Sequence, residues 1–412
     1  TGGVSGYSGT FIGINYSTNN FRGLGQTIAV QLSTGTRTSS YLVRYIDPYF
    51  RDSRVTLQMS IFNQRFRFDT FTASFGSINP DQSVTLYTRQ QNGFEVAGSY
   101  PWRRWSRLGL AYRLSNISIT DINPAIENLA LRQLIGFTPG GNPEDARSGI
   151  LRSEIRPSYR TNTKNAYFQA TSGSSVFAQV SISGGPLGGS FNLVRPWVEY
   201  QKFYPDTWLS RGRHTLAFRV QAQHVWPYGK LPSGSDQAVP FFERIFLGGE
   251  FDLRGFDIRS VCPMAITRNA LTDSMGNAII DPGTGLPTFT ESLFPVGGDT
   301  SLVGTVEYRV PIAGPLTLNA FVDVGTSTIL RKSKLTIFGP ATVVQLLPNT
   351  NSVIRMSTGV EIQFLMPMIN QPFRLIFAYN PMVLNTDVIL QGQRLRLEED
   401  RTNVKFTVGY TF

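Results

Sequence analysis

Apolar and polar residues alternate along many short segments of this chain, and this period of two constrains the fold more than any other feature. In the last segment, Val404, Phe406 and Val408 fall on one side, and Lys405 and Thr407 fall on the other. Successive side chains of a β-strand point to opposite faces of its sheet. The pattern therefore predicts an all-β chain whose strands each have one apolar face.

About 16 such segments follow one another almost from end to end. Their predicted centres lie near Ile14, Val30, Val43, Leu57, Val96, Leu110, Ile155, Val180, Val198, Val220, Phe242, Val306, Leu318, Val360, Leu375 and Val408. An even number of strands is typical of bacterial transmembrane barrels. We therefore predict one domain over residues 1–412, a transmembrane antiparallel β-barrel of 16 strands. The longest interruptions run over residues 120–148 and 248–299, and a loop as long as the second is expected to have a role.

The polar side of these segments distinguishes a membrane barrel from a soluble β-protein, which composition alone does not exclude. Arg, Glu, Gln and Asn occur there in mid-strand, while the opposite side is almost uniformly aliphatic or aromatic. This arrangement is typical of a barrel with lipid outside and water inside. Closure is expected because an open edge in lipid would leave backbone groups unpaired. The sequence contains no run of about 18 apolar residues, so it predicts no transmembrane helix. Its 29 Phe and 16 Tyr are enough for the aromatic girdles of a barrel.

Charge and chemistry-bearing residues narrow the function further. The net charge of +10 is explained equally well by contact with anionic lipid head groups, by a basic lumen or by diffuse solvated charge. The Arg residues alternate with apolar residues, so we expect no nucleic-acid partner. With one cysteine, Cys262, and two histidines, we expect neither a metal site nor a cofactor. Ser210 lies near His214 without a triad pattern, so we predict that the protein is not an enzyme.

Several sequence blocks point to a family. The most specific covers residues 240–249, Pro-Phe-Phe-Glu-Arg-Ile-Phe-Leu-Gly-Gly, followed by Leu253-Arg254-Gly255-Phe256. The others cover residues 20–25, 47–50, 296–299 and 321–325. In this order they resemble blocks of the BamA family of outer-membrane β-barrel assembly factors. The block over residues 240–249, with the Leu253–Phe256 segment after it, resembles the segment leading into strand eleven and the Arg-Gly-Phe tip of the long sixth external loop. Leu253 stands where the family usually has Val. The others resemble the turns after strands one and three, the opening of strand twelve, and part of strand thirteen.

The resemblance implies an insertase of the bacterial outer membrane, which folds and inserts client barrels without covalent chemistry. Its implied partners are unfolded outer-membrane proteins, the lipids and lipopolysaccharide of that membrane, and accessory lipoproteins of the assembly complex. The family normally has periplasmic POTRA domains before the barrel, through which such lipoproteins would bind. The 412 residues contain no segment that we interpret as a POTRA domain.

The resemblance also implies that the sixth loop folds into the lumen, where Arg254 meets acidic side chains. Alternation independently places Glu307 and Asp323 on the luminal side of neighbouring strands. We predict that Arg254, with Gly255 and Phe256, fastens the loop to these carboxylates. The alternative is that all three charged side chains face water. A shielded Arg–carboxylate contact can be bidentate and directional.

The two ends of the chain carry a further prediction. Phe406, Gly409, Tyr410 and the terminal Phe412 resemble the targeting signal of client barrels. Strand one, predicted over residues 10–17, must pair with the last strand, and it is flanked or interrupted by Gly9 and Gly13. The family resemblance implies a lateral gate at this seam, where an incoming strand pairs with an exposed edge. The alternative is that both glycines merely relieve curvature.

Four other functions compete with an insertase. Two are related protein transporters, of the TamA type or of the two-partner-secretion type. The third is a passive diffusion porin, which would conduct steadily and lack a lumen-inserted loop. The fourth is a lipase-type enzyme, which would require a nucleophile activated by a base.

Overall fold

The computed structural model describes residues 2–5, 8–71, 83–123, 149–167, 169–230, 237–271, 279–283, 285, 288–331, 342–366, 371–390 and 392–408. Strands dominate this part of the chain, with a few 3-10 turns between them. No helix within these residues has both the length and the apolar character needed to cross a membrane.

Sixteen strands form one antiparallel sheet in which each strand pairs with the next. They are β1 Gly2–Ser5, β2 Gly9–Phe21, β3 Gln26–Gly35, β4 Thr38–Asp47, β5 Thr56–Phe71, β6 Ser83–Arg103, β7 Ser106–Thr120, β8 Ile150–Asn162, β9 Gly173–Ser183, β10 Leu193–Asp206, β11 His214–His224, β15 Thr300–Ala313, β16 Leu316–Thr328, β18 Arg355–Met366, β19 Gln371–Met382 and β22 Thr402–Val408. The two-residue strand β12, Trp226–Pro227, extends the sheet by pairing with the start of β10.

The sheet wraps around the long segment that connects β11 to β15. Phe256, in this segment, accepts a hydrogen bond from Lys405 on β22. Three residues later, the guanidinium of Arg259 lies 4.0 Å from the ring centroids of Phe66 and Phe68 on β5. In a flat sheet β5 and β22 would be about 50 Å apart, because neighbouring strands are about 4.8 Å apart. The sheet must therefore curve until these strands face each other across an interior.

The inner and outer faces divide along the predicted alternation. On β15, Leu302 is 52% exposed, whereas Val303 and Glu307 on the other face are 1% and 2% exposed. Exposed apolar side chains recur on the outer face of strands around the sheet, namely Ile14, Ile61, Leu110, Val198, Val220, Val306, Val360, Phe377 and Val404. Soluble monomers rarely expose apolar side chains on one strand after another in this way. No second sheet covers it within the described part of the chain.

Two smaller sheets lie at the end where the long connections emerge. Strands β13 Met264–Ala270, β14 Phe289–Pro295 and β17 Thr342–Leu346 form one of them. Strands β20 Asn385–Leu390 and β21 Gln393–Glu398 form a hairpin. Ile266 of the first packs with Val388 and Leu397 of the second, so the long connections contact one another above the main sheet.

Two strand predictions are wrong. The segment around Phe242 is not a strand, because Phe241–Glu243 forms a 3-10 turn with all three residues buried. Residues 10–17 belong to the second strand, β2, and the first strand is the short β1. The turn at residues 20–25 therefore follows the second strand, and that at 47–50 follows the fourth. The other fifteen predicted centres all lie in strands of the main sheet.

Candidate functional site

The connection between β11 and β15 carries the candidate site into the interior of the sheet. Its tip is a tight turn, in which the amide of Gly249 donates to the carbonyl of Phe256 at 3.0 Å. Gly248 and Gly249 both have φ of +107°, a conformation that L-residues rarely adopt. A Cβ at Gly248 would also lie 2.3 Å from the carbonyl oxygen of Asp257. The paired glycines are therefore what allows the chain to reverse and present Arg254.

Arg254 is completely buried against three strands of the sheet. Its Nε donates to Oδ2 of Asp323 at 2.8 Å and its Nη2 to Oδ1 at 2.9 Å, which makes a two-pronged contact. Nη1 donates to Glu307 at 2.7 Å and to Glu361 at 3.2 Å. The guanidinium carbon also lies 3.8 Å from the ring centroid of Phe321. Burial alone would lower the pKa of Arg254, but attraction by Asp323 and Glu307 raises it above its usual value.

Two further arginines complete the charge balance around this cluster. Arg309 donates to the second oxygen of Glu307 at 2.6 Å, and Arg374 contacts both oxygens of Glu361 at 3.0 and 2.7 Å. Three guanidinium groups thus face three carboxylates. Such a buried network is stable only when every member keeps its partners, and removal of one partner costs about 3–5 kcal/mol.

The two residues after Arg254 fix the backbone of the tip. The amide of Gly255 donates to Oγ of Ser357 at 3.0 Å, and its carbonyl accepts from Nδ2 of Asn380 at 2.9 Å. A Cβ on Gly255 would lie 1.9 Å from Oδ1 of Asn380, so any other residue would have to displace either the Asn380 side chain or the tip. Phe256 is buried in a small apolar cluster with Leu247, Leu253, Val261 and Val303.

A second contact holds the base of the same connection. Glu243 is buried and forms ion pairs with Arg89 at 3.0 Å, Arg152 at 3.2 Å and Arg195 at 2.6 Å. These arginines come from β6, β8 and β10. Burial alone would raise the pKa of Glu243, but the attraction of Arg152, Arg195 and Arg89 outweighs it and lowers the pKa to about 2.

The ends of the sheet meet at β1 and β22. A Cβ on Gly3 would lie 3.0 Å from Cγ2 of Val408, and no hydrogen-bonded ladder joins residues 2–5 to 402–408. Gly9 and Gly13, predicted at the seam, lie on β2, one strand away from it. Gly9 has φ of +68° at the turn between β1 and β2. Phe406 lies on the outer face of β22 and is 51% exposed, whereas Gly409, Tyr410 and Phe412 lie outside the described residues.

Sequence reasoning named Arg254, Glu307 and Asp323, and the structure brings these three side chains together. It missed Glu361, Arg309 and Arg374, although the alternation along β18 already placed Glu361 on the polar side. It also missed the role of Glu243. No periodicity indicates that arginines from three strands converge on one loop carboxylate.

Ser210 and His214 do not form a nucleophile and base. The hydroxyl of Ser210 donates to the backbone carbonyl of Asp206 at 2.7 Å, and Nδ1 of His214 lies 2.9 Å from the hydroxyl of Tyr308. Nδ1 of His224 lies 2.7 Å from Oγ1 of Thr300. Both histidines therefore contact neighbouring hydroxyl groups of the sheet, not a serine nucleophile.

The wrapped antiparallel sheet has sixteen strands, an apolar outer face and a loop arginine fastened inside. This arrangement is typical of outer-membrane β-barrel proteins. Residues 20–412 match the model of the Omp85 superfamily domain. The chain belongs to the Omp85 superfamily.

Curated and solved relatives agree with this assignment. The chain is 22% identical over 244 residues to the outer membrane protein assembly factor BamA of Nitratidesulfovibrio vulgaris, a match that covers 59% of this chain and 26% of that protein. The chain thus matches about a quarter of the length of this relative. Its fold is similar to that of BamA from Haemophilus ducreyi lacking POTRA domains 1–3, with a TM-score of 0.69, 18% identity, and coverage of 99% of this chain and 69% of that one. CdiB from Acinetobacter baumannii aligns with a TM-score of 0.50, 12% identity, and coverage of 99% and 58%.

Proposed function

We propose that this protein folds client β-barrel proteins and inserts them into the bacterial outer membrane through a lateral gate between its first and last strands. Residues 1–412 would form one barrel domain, with the clients, the lipids and lipopolysaccharide of that membrane, and accessory lipoproteins as partners. Membership of the Omp85 superfamily and similarity to BamA support this function.

The seam between β1 and β22 is the observation that carries the proposal. Elsewhere neighbouring strands share ladders of hydrogen bonds, as β15 and β16 do from Thr300 to Ala313. At the seam, the described residues of β1 and β22 approach through Gly3 and Val408 without such a ladder. Between residues 2–5 and 402–408, parting the two strands would therefore break no ladder of backbone hydrogen bonds. An exposed strand edge pairs through its backbone, so one edge can accept clients of many sequences.

The fastened loop argues against a passive porin, because Arg254 and its partners occupy the interior that a wide channel would need. A porin would show a large, steady conductance in planar bilayers, and we expect none. The orientation of Ser210 argues against a lipase-type enzyme, since its hydroxyl faces a backbone carbonyl. Esterase activity in detergent would contradict this assignment.

Reconstitution tests the function directly. The protein is incorporated into liposomes, an unfolded client barrel is added, and its insertion is followed by heat-modified gel mobility. We expect the client to insert faster than into empty liposomes or into liposomes that contain an unrelated porin. Equal rates in all three preparations would contradict the proposal.

The fold similarity to CdiB favours a second candidate, a protein transporter of the TamA or two-partner-secretion type. A transporter would move a dedicated substrate across the liposome membrane, leaving it protease-protected inside or released outside. An insertase would leave its client embedded in the bilayer. The same reconstitution, with protease added after the reaction, distinguishes the two.

A further inference from the structure

The turns at one end of the sheet carry most of the unbalanced charge of the protein. Four of them, residues 22–25, 48–55, 102–105 and 207–213, lie where β2 meets β3, β4 meets β5, β6 meets β7 and β10 meets β11, and we call them the short-turn rim. They contain seven arginines and a single acidic residue, Asp52, so the rim holds +6 of the net charge of +10. All seven arginines are exposed, and none forms an ion pair with another described residue.

The opposite end of the sheet has a different charge arrangement. Several exposed arginines of the two smaller sheets there have acidic partners, in the pairs Arg268–Glu291, Arg394–Asp387 and Arg396–Glu398. The smaller sheets therefore neutralise much of their own charge, whereas the short-turn rim does not. Charge gathered on one face of a protein in this way attracts a partner of the opposite sign.

Aromatic rings accompany the arginines of the rim. The guanidinium carbon of Arg103 lies 4.7 Å from the ring centroid of Trp102, and that of Arg104 lies 5.2 Å from the ring centroid of Trp105. Trp102 belongs to the exposed outer face, where its ring centroid lies 6.4 Å from that of Tyr159. Trp and Tyr rings of membrane proteins gather at the boundary between hydrocarbon and head groups. The rim is therefore expected at the level of the head groups.

Lys202 is a cation on the outer face itself. On β10 it alternates with Gln201 and Phe203, which are buried on the inner face, and it shares the outer face with the exposed Tyr204. Its ammonium nitrogen lies 4.9 Å from the ring centroid of Tyr204, which is the residue nearer to the turn. No ion pair joins Lys202 to another described residue. A lysine beside acyl chains extends its flexible side chain to the head groups, where phosphate would supply the negative partner.

We infer that the short-turn rim and Lys202 bind the phosphate head groups of anionic phospholipids. Guanidinium groups match the geometry of phosphate oxygens, and basic side chains near an anionic membrane surface each add to the attraction. The short turns of outer-membrane barrels face the periplasm, so these lipids belong to the periplasmic leaflet. The inference rests on the proposed function only for the membrane location of the barrel, and it assigns one of the proposed lipid partners to a surface.

The other short turns limit the extent of this surface. Residues 311–317, between β15 and β16, contain no charged residue, and neither do residues 365–372, between β18 and β19. The basic surface therefore follows the arc from β2 to β11 and is absent from the arc that contains β15 to β19. We expect anionic lipid to gather along the first arc only.

Electron paramagnetic resonance of spin-labelled lipids tests the inference without any client. The full chain is reconstituted into phosphatidylcholine liposomes that contain a trace of spin-labelled phosphatidylglycerol or spin-labelled phosphatidylcholine. The motionally restricted fraction of each label gives its relative affinity for the barrel surface. We expect phosphatidylglycerol to be favoured about threefold. The combined variant Arg51→Gln, Arg54→Gln, Arg103→Gln and Arg104→Gln should lose most of this preference, and adding Lys202→Gln should reduce it further.

The matched control removes the same charge from exposed arginines at the opposite end, in the combined variant Arg268→Gln, Arg331→Gln, Arg394→Gln and Arg396→Gln. This variant should keep the preference of the parent protein. Equal loss in both combined variants would show general attraction to a basic protein and no lipid surface at the rim. A parent protein without any preference would also overturn the inference, and would point to an acidic protein surface as the partner of the rim.

A salt series on the parent protein tests the same point without a substitution. In 1 M salt the preference should disappear, because the Debye length falls to about 3 Å. A preference that persists in 1 M salt would contradict a surface based on charge. Heat-modified gel mobility confirms that each variant is folded. Since no client is present, these results do not depend on whether the protein inserts clients, and the two proposals can fail separately.

Discussion

Arg254 and Asp323 form two parallel hydrogen bonds, 2.8 and 2.9 Å long, across 69 residues of sequence. The backbone amide of Arg254 adds a third bond to the same carboxylate at 3.1 Å. One aspartate thus fixes both the side chain and the main chain of the loop tip. A positive charge alone would not achieve this, because the contact depends on the planar fork of the guanidinium.

The first prediction concerns this pair. Arg254→Ala leaves Asp323 and Glu307 buried without their loop partner, and we expect it to lower the free energy of unfolding by about 3–5 kcal/mol. Asp323→Ala should have a similar effect, and the double variant should be less destabilised than the sum by about 0.5–3 kcal/mol. Urea unfolding in detergent, followed by heat-modified gel mobility, measures all three.

Arg394 and Asp387 provide a matched control for that cycle. They form an Arg–Asp contact of 2.5 Å on the hairpin β20–β21, but their side chains are 76% and 45% exposed. An exposed pair contributes about 0–1 kcal/mol, so its coupling should be small. Strictly additive effects at Arg254 and Asp323, matching this control, would refute the predicted role of the pair.

The second prediction concerns Gly255. Gly255→Ala places a methyl group 1.9 Å from Oδ1 of Asn380 and 2.8 Å from Oγ of Ser357. Either these side chains or the tip must then move, and the hydrogen bonds between them lengthen. Overpacking of this kind costs about 1–3 kcal/mol. Gly304→Ala on β15 is the control, since a Cβ there meets no atom within 4 Å. Limited proteolysis of the loop compares the two variants, and we expect faster cleavage of Gly255→Ala. Equally slow cleavage of both variants would mean that the close fit at Gly255 does not hold the tip.

Much of the main sheet could be predicted because its alternation is a direct consequence of strand geometry. Glu307 and Asp323 could be placed in the interior by counting along β15 and β16, without knowledge of any contact. The short strand β1 could not be predicted, because Gly2–Ser5 contains two glycines and has no alternation to detect. The run around Phe242 was mistaken for a strand because a short apolar run does not by itself distinguish a strand from a buried turn.

These two errors cancel in the strand count. Omitting β1 removed one strand before β2, and the false strand at Phe242 added one before β15. The total of sixteen was therefore confirmed, while the turns near residues 20 and 47 were assigned one strand too early. The convergence of Arg89, Arg152 and Arg195 on Glu243 was beyond reach, since it depends on how the sheet curves and not on any local pattern.

The third prediction follows from the lowered pKa of Glu243. The pKa of this carboxyl is about 2 in the folded protein, against an ordinary value of 4.5. A group whose pKa falls on folding stabilises the protein above its unfolded pKa and loses that contribution as the pH falls towards the folded one. Stability that depends on Glu243 should therefore be fully present above about pH 5 and decline steadily towards pH 2. The difference in unfolding free energy between the parent protein and Glu243→Gln, measured from pH 5 to pH 2, isolates the contribution of Glu243.

Glu398→Gln is the control for the pH series. Glu398 lies on the hairpin in an exposed pair with Arg396, with side chains 44% and 61% exposed, and its removal should not alter the acid dependence. Parallel stability curves for the parent protein and Glu243→Gln between pH 5 and pH 2 would show that the three arginines do not depend on this carboxylate.

The last prediction tests the seam. With Gly3→Cys and Val408→Cys, the two Cβ atoms would be 3.2 Å apart, close to the separation of about 3.5–4.5 Å in disulfides, and the parent cysteine Cys262 is buried. We expect the oxidised variant to lose client insertion in liposomes, because a covalent bond between β1 and β22 prevents the strands from parting. Dithiothreitol should restore insertion, and each single-cysteine variant should insert at the parent rate under oxidising conditions. Undiminished insertion by the fully cross-linked protein would mean that clients do not enter between these strands, and the gate would have to be sought elsewhere in the sheet.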